Sequence, residues 1–325
     1  LQHMSNHAEL SMPAESPVRV LLGPQSPVPN IADAVANAGF ADGPFAVISA
    51  GWQETEGDID EIRSILGRDL EDLRLYRRAE ELLTGNAELD AASRLRQDRL
   101  IEQQKIYRLR LKQLSIAARL VMGAEGDAEM LAAEQRHAVA QLRALDRHHL
   151  HRSESIWRSF SEECAADYYP EIARHTEEIA GVLQRSAGVL ITGGNVTVLL
   201  NRLRLFGVDR LLDKCNIVAW SAGAMALAER VVLYHDNSAE GRRDAEVLGS
   251  GCGVVPGFVF LPDAKHRLRK RDRKRVGLLS RRFSPDTCVT LDRGAELRVT
   301  DAGIAHAHNV QELGINGRLA RLHSS

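Results

Sequence analysis

Short apolar runs without polar alternation stand at both ends of the chain: Val18 to Leu22, Phe45 to Ala50, Gly188 to Ile191 and Asn216 to Trp220. Runs of this length, rich in β-branched residues and bounded by glycine or proline, read as strands buried on both faces. Ile31 to Ala38 and Asp58 to Leu66 instead carry apolar residues at helical spacing and stop at Gly39 and Gly67, the residue type that closes helix C-termini. Asp72 to Tyr76 reads as a third strand, Tyr169 to Ser186 as a helix, and another helix runs to about Phe206. Val247 to Leu261 is β-like, and Cys288 to Leu291 with Glu296 to Thr300 reads as a hairpin. Strands alternating with helices predict an α/β fold, a mostly parallel sheet flanked by helices.

The middle of the chain follows a different period. Leu100, Tyr107, Leu111, Leu114, Ala118 and Val121 keep three-and-four spacing, and Leu131, Ala138, Leu142, Leu145, His149 and Ile156 resume it after a break at Gly123 to Asp127. This pattern predicts an inserted long antiparallel helical hairpin. Its apolar stripe is narrow, so it must pair with itself and with a further surface. The expected organisation is a tag remnant and loose arm over 1–17 and the first part of the α/β domain over 18–86. The hairpin insertion follows over 87–160, and the second part of the domain over 161–325. A homo-oligomer held through the hairpin is the expected assembly.

Composition narrows the setting. Charged residues make up 26% of 325 residues and the net charge is −2, which argues against nucleic acid as the partner. Cys164, Cys215, Cys252 and Cys288 lie far apart with no CxxC pair, the usage of reduced thiols. No apolar run approaches a membrane span and no leader pattern is present. The expectation is a cytoplasmic protein.

The chemistry concentrates at Val218-Ala219-Trp220-Ser221-Ala222-Gly223-Ala224-Met225. A strand that turns at a serine into a helix through small residues is a nucleophile-elbow arrangement. Upstream, Ile191-Thr192-Gly193-Gly194-Asn195 ends another strand, and its glycines allow close backbone approach. The amides of Gly194 and Ala222 would then form a two-donor oxyanion hole. Downstream, His266 follows Leu261-Pro262-Asp263 and suits a serine–histidine pair. Taken singly, each feature also has a plain reading, a packing turn for the glycines and a solvated surface residue for the histidine.

In this order, Gly193-Gly194-Asn195, Trp220-Ser221-Ala222-Gly223-Ala224, and Leu261-Pro262-Asp263 with His266 before an arginine-rich segment resemble peptidase family S51. That family includes aspartyl dipeptidase (peptidase E) and cyanophycinase and has the class I glutamine amidotransferase-like fold. The resemblance covers residues 170 to 300 firmly and 18 to 80 loosely, and it does not extend to the hairpin. It implies a serine peptidase or amidase with Ser221 as nucleophile, His266 as general base, and Gly194 and Ala222 as oxyanion donors. For the triad acid it implies Asp236, by its placement after the nucleophile helix, with Asp292 second because the family's Asp-Glu pair is here Asp292-Arg293. His235 is the competing base. The chain departs from the family at Ala219, where a glycine is usual, and at Asp263-Ala264-Lys265-His266, where the aspartate is shifted by one.

Lys265 to Arg282 holds ten lysines or arginines and one acid. It reads as a cationic wall for acidic peptide groups, with Asn195, Arg267, Arg269 and Arg271 as substrate-binding residues. His148, His149 and His151 lack a further ligand at metal spacing, so neither metal nor organic cofactor is expected. The reading is a serine hydrolase for short acidic or Asp-linked peptides. Its alternative is a catalytically impaired scaffold whose hairpin docks a partner.

Overall fold

The computed structural model describes residues 16–164, 169–236 and 244–323; residues 1–15 of the arm expected over 1–17 lie outside them. The strands β1 (Arg19–Leu22), β2 (Phe45–Ile48), β3 (Leu70–Asp72), β4 (Gly188–Ile191) and β5 (Ile217–Trp220) run parallel. Every residue of β1, β2, β4 and β5 is buried, as expected of strands covered on both faces. The remaining strands are β6 (Arg230–Leu233), β7 (Glu246–Ser250), β8 (Phe258–Pro262), β9 (Thr287–Leu291), β10 (Glu296–Thr300), β11 (Gly303–His308), β12 (Gln311–Leu313) and β13 (Leu319–Arg321). The main sheet has the order β11-β10-β1-β5-β4-β2-β3, with β10 and β11 antiparallel at its edge. A four-stranded sheet β13-β12-β9-β8 and a β6–β7 ribbon lie outside it. The fold is therefore mixed α/β around a mostly parallel sheet.

Most expected elements fall where their patterns place them. Helix Ile31–Ala38 ends on Gly39 at φ 71°, and helix Asp60–Leu66 on Gly67 at φ 60°, left-handed positions that glycine adopts freely. Two expectations fail. Asp72 to Tyr76 is not a strand: β3 ends at Asp72 and a helix, Leu75–Gly85, follows. There Glu56 accepts hydrogen bonds from the Tyr76 and Arg77 amides and so caps the helix start from a distance. Nor do Cys288 to Leu291 and Glu296 to Thr300 pair as a hairpin. The turn closed by Ala295 N–H on the Asp292 carbonyl (2.9 Å) sends β9 to β8 and β12, and β10 to β1.

The hairpin helices are Ala87–Gly123 and Ala128–Glu163, each about 55 Å long at 1.5 Å per residue. Asn86 and Asp127 cap them by accepting from the amides of Leu89 (3.0 Å) and Met130 (2.9 Å). Their middles are fused to the body rather than free of it. The buried Arg282 guanidinium donates to both Asp146 oxygens (2.7 Å each), to the Tyr107 hydroxyl (2.8 Å) and to the Ala245 carbonyl (2.7 Å). Tyr107 in turn donates to Asp146 (2.9 Å) and accepts from the Val247 amide (3.0 Å). Burial pushes the Tyr107 phenol well up, so it keeps its proton. His149 stacks on Tyr107 at 4.1 Å, and burial pushes its pKa down. Closer to the base of the hairpin, Arg96 lies 4.2 Å over Trp157 and 4.3 Å over Phe160.

Candidate active site

Three turns meet at the carboxyl ends of the parallel strands. Residues 49–51 leave β2, 192–195 leave β4, and Ser221 leaves β5. The Asn195 amide bonds the Gly51 carbonyl (2.7 Å), and the Thr192 amide bonds that of Ile48 (3.0 Å), locking the first two turns together. A Cβ on Gly194 would sit 2.3 Å from the Gly51 oxygen, and its φ is 105°; a Cβ on Gly223 would sit 2.4 Å from the Ile191 oxygen. Only glycine satisfies both approaches. The small residues around the serine are thus a packing requirement between the elbow helix (Ala222–Leu227) and the end of β4.

Ser221 has φ 51° and ψ −117°, a conformation that costs a non-glycine residue roughly 1–3 kcal/mol. Its amide is tied to the Leu22 carbonyl (3.2 Å), and its own carbonyl accepts from Met225 (3.1 Å), so the strain is held by neighbours on both sides. Ser221, Ala222 and Gly194 all line a cavity of about 540 Å³. No acceptor among the described residues takes the amide hydrogen of Gly194 or Ala222. No cysteine is among the residues lining this cavity, and desolvation pushes the Cys252 and Cys288 thiols up to about 12.

The opposite wall comes from the end of β8. Asp263 sits there at φ 59°, its amide bonded to the Leu291 carbonyl (3.0 Å). Its carboxylate Oδ1 lies 2.6 Å from Nδ1 of His266. Asp263 and Arg267 line the cavity, as does His235. His266 is one hydrogen bond removed from that lining, its side chain 64% exposed. Tyr234 fixes this wall by donating its hydroxyl to the Pro262 carbonyl.

Several expected roles do not fit these positions. Asp236 is not the carboxylate on His266. It is fully buried, with its two oxygens on Nε and Nη2 of Arg275 (Nε at 2.6 Å) and on the Arg269 amide (3.0 Å). Asp292 accepts from the Lys265 amide (2.7 Å) and pairs with Lys270 (2.5 Å). Asn195 uses its side-chain oxygen to cap helix Val196–Leu205 through the Thr197 and Val198 amides. Arg269 and Arg271 are exposed outside the cavity lining, and Arg275 and Arg282 are buried in ion pairs. The cationic wall is therefore narrower than the ten charges in sequence suggest, with Arg267 its member at the cavity.

Sequence reasoning missed Arg108, Asp244 and Glu246, which also line the cavity. Arg108 belongs to the first hairpin helix and bonds Glu246 through Nε at 2.6 Å. Nothing in its helical surroundings distinguishes it from the neighbouring cations. The Asp263–His266 pair was not drawn from the sequence, where Asp263 counted only as a shifted family position; its i, i+3 spacing is the signal that could have found it. Among the described residues no three His, Cys, Asp or Glu side chains cluster as metal ligands would, and His148 and His151 are exposed while His149 is buried. No described helix is long and apolar enough to cross a membrane.

No protein-family model matches the chain, and no curated protein does. Among solved structures it is similar to a peptidase from an acI-B1 Actinobacterium, at 13% identity over 95% of both chains with a TM-score of 0.46. It is also similar to a Peptidase E candidate protein from Listeria monocytogenes EGD-e. That match has 10% identity over 94% of this chain and 99% of that one, with a TM-score of 0.43. Likenesses this distant carry no inference about activity, and the site is read from its own geometry.

Proposed function

We propose that this protein is a serine hydrolase of the S51 peptidase type, acting on short acidic or Asp-linked peptides. The observation that carries the reading is Ser221: a strained serine at a strand-to-helix turn, opening on a cavity beside two amides with no acceptor among the described residues. Backbone strain of this kind persists only where the surroundings over-determine it. In the proposed reaction Ser221 Oγ attacks the scissile carbonyl, and the amides of Gly194 and Ala222 donate to the oxyanion. Each donor of that type is worth about 10²–10³ in rate. His266 takes the serine proton on Nε2 and returns it to the leaving amine. The acid role moves from Asp236 to Asp263, because Asp263 is the carboxylate on Nδ1, where it selects the tautomer that carries its proton on Nδ1 and a lone pair on Nε2. His266 must swing inward from its exposed position for this, and a base that tightens only with substrate bound is ordinary. Arg267, which lines the cavity together with Arg108, is the cation of the basic segment suited to an acidic substrate group. The reaction needs neither metal nor organic cofactor.

A fluorophosphonate probe tests this. Wild-type protein should be labelled at Ser221 and Ser221→Ala should not, with release of acidic dipeptide products lost in parallel. If wild type is not labelled, or if the alanine variant labels equally, the hydrolase reading fails and the scaffold reading takes its place.

A further inference from the structure

The first hairpin helix has two apolar faces. The inner one, including Tyr107, Leu111 and Ala118, is buried in the body. The outer one carries Leu95, Ile106, Leu109, Ile116 and Leu120, all exposed, with Leu109 and Leu120 at 69% and 70%. From Ile106 onward the outer positions are 106, 109, 113, 116 and 120, alternating steps of three and four, with Gln113 the one polar member. At 100° per residue they span a stripe of roughly 80° and about 21 Å. Two positions in seven is the narrow seam of a coiled coil, and a single polar residue within such a seam fixes register.

The charge around this seam has one sign. Between Gln103 and Ala124 there are five cations and no carboxylate. Arg108 and Arg119 turn to the body, on Glu246 and Asp244. Lys105 and Lys112 flank the seam on one side and Arg110 on the other, and none of the three has an ion pair among the described residues.

We propose that this face docks an acidic amphipathic helix of another protein, pairing seam to seam with carboxylates against Lys105, Arg110 and Lys112. A second copy of this chain does not fit, because two such seams face to face would oppose cation to cation in either orientation. An anionic membrane fits less well, since in-plane helices present a broad apolar face with aromatic anchors, and this stripe is narrow and has no aromatic residue. The inference stands apart from the hydrolase reading and uses none of its residues.

The test uses the full chain and a synthetic helical peptide of about four heptads, with Leu and Ile on the seam and Glu on both flanks; a twin peptide carries Lys on the flanks. By fluorescence anisotropy the Glu peptide should bind about tenfold or more tighter than the Lys peptide, and added salt should weaken it. Leu109→Glu with Ile116→Glu should cost about tenfold or more, with circular dichroism and probe labelling at Ser221 unchanged. Lys105→Glu with Arg110→Glu and Lys112→Glu should reverse the preference in favour of the Lys peptide. Three results would overturn the proposal. They are no charge preference or no reversal; a wild-type dimer in light scattering that the seam variant turns to monomer; and wild type, but not the seam variant, sedimenting with phosphatidylserine vesicles.

Discussion

The two walls of the cavity are built from different materials. On the Ser221 side, the elbow and the glycine turn are positioned by backbone: carbonyl-to-amide ties, close approaches that exclude a Cβ, and strands buried on both faces. On the His266 side, placement depends on charged side chains. Asp263 holds His266, Asp236 and Arg275 anchor the segment before the basic helix (Arg273–Phe283), and Arg282 clamps that helix to the hairpin. The difference teaches where precision is kept. In the proposed mechanism, the atom that would form a covalent bond sits in a frame with little freedom, while the group that would move a proton sits on an ionic scaffold that can yield.

The largest effect expected separates the carboxylates. Asp263→Asn should slow probe labelling by about 10²–10⁴, the loss seen when the aspartate of a triad can no longer hold the right tautomer. Asp292→Asn should leave the labelling rate nearly unchanged. Equal losses in stopped-time labelling would break the assignment of Asp263. Next, Asp236→Asn and Asp146→Ala should each destabilise by about 3–5 kcal/mol in urea melts, because each removes the buried carboxylate charge that lies closest to a buried guanidinium. The folded fraction of Asp236→Asn should still label at Ser221, and a folded but inert variant would return Asp236 to the catalytic group.

Acid should loosen the ionic side first. His149 binds a proton less readily folded than unfolded, so stability holds above its ordinary value of 6.5 and falls as pH drops below it. The slope is at most about 1.4 kcal/mol per pH unit for that one proton. Hydrogen exchange at pH 5 should show β7 and the hairpin opening before β4 and β5, and His149→Phe should reduce the difference. Uniform opening would erase the contrast between the walls. The smallest effect concerns stored strain. Ser221→Gly should be more stable than Ser221→Ala by about 1 kcal/mol in thermal melts, since only glycine relaxes at φ 51°.

The same division decides what could be read in the sequence. Strands, helix ends and the hairpin were legible because apolar period and glycine placement are local properties, and Ser221 with Gly194 belongs to that class. Helix Leu75–Gly85 was not legible, because its start is capped by Glu56, from outside the helix. The pairing of β10 with β1 depends on a corner at Asp292 that resembles an ordinary hairpin turn. Asp236 illustrates the limit most clearly: spacing from the serine put it in the right neighbourhood, but only the fold reveals that Arg275 occupies it. Arg108 reaches the cavity from a helix more than 100 residues upstream of the serine, a relation that no local pattern encodes.

The Arg282 clamp sets a practical rule for anyone trimming this protein. Removing the hairpin would strip Asp146 and Tyr107 from a guanidinium that is 4% exposed, leave Glu246 without Arg108, and uncover β7. A shortened chain would therefore report on its own damage rather than on what the hairpin does. The hairpin behaves as a wall tie, and questions about it are better put one side chain at a time.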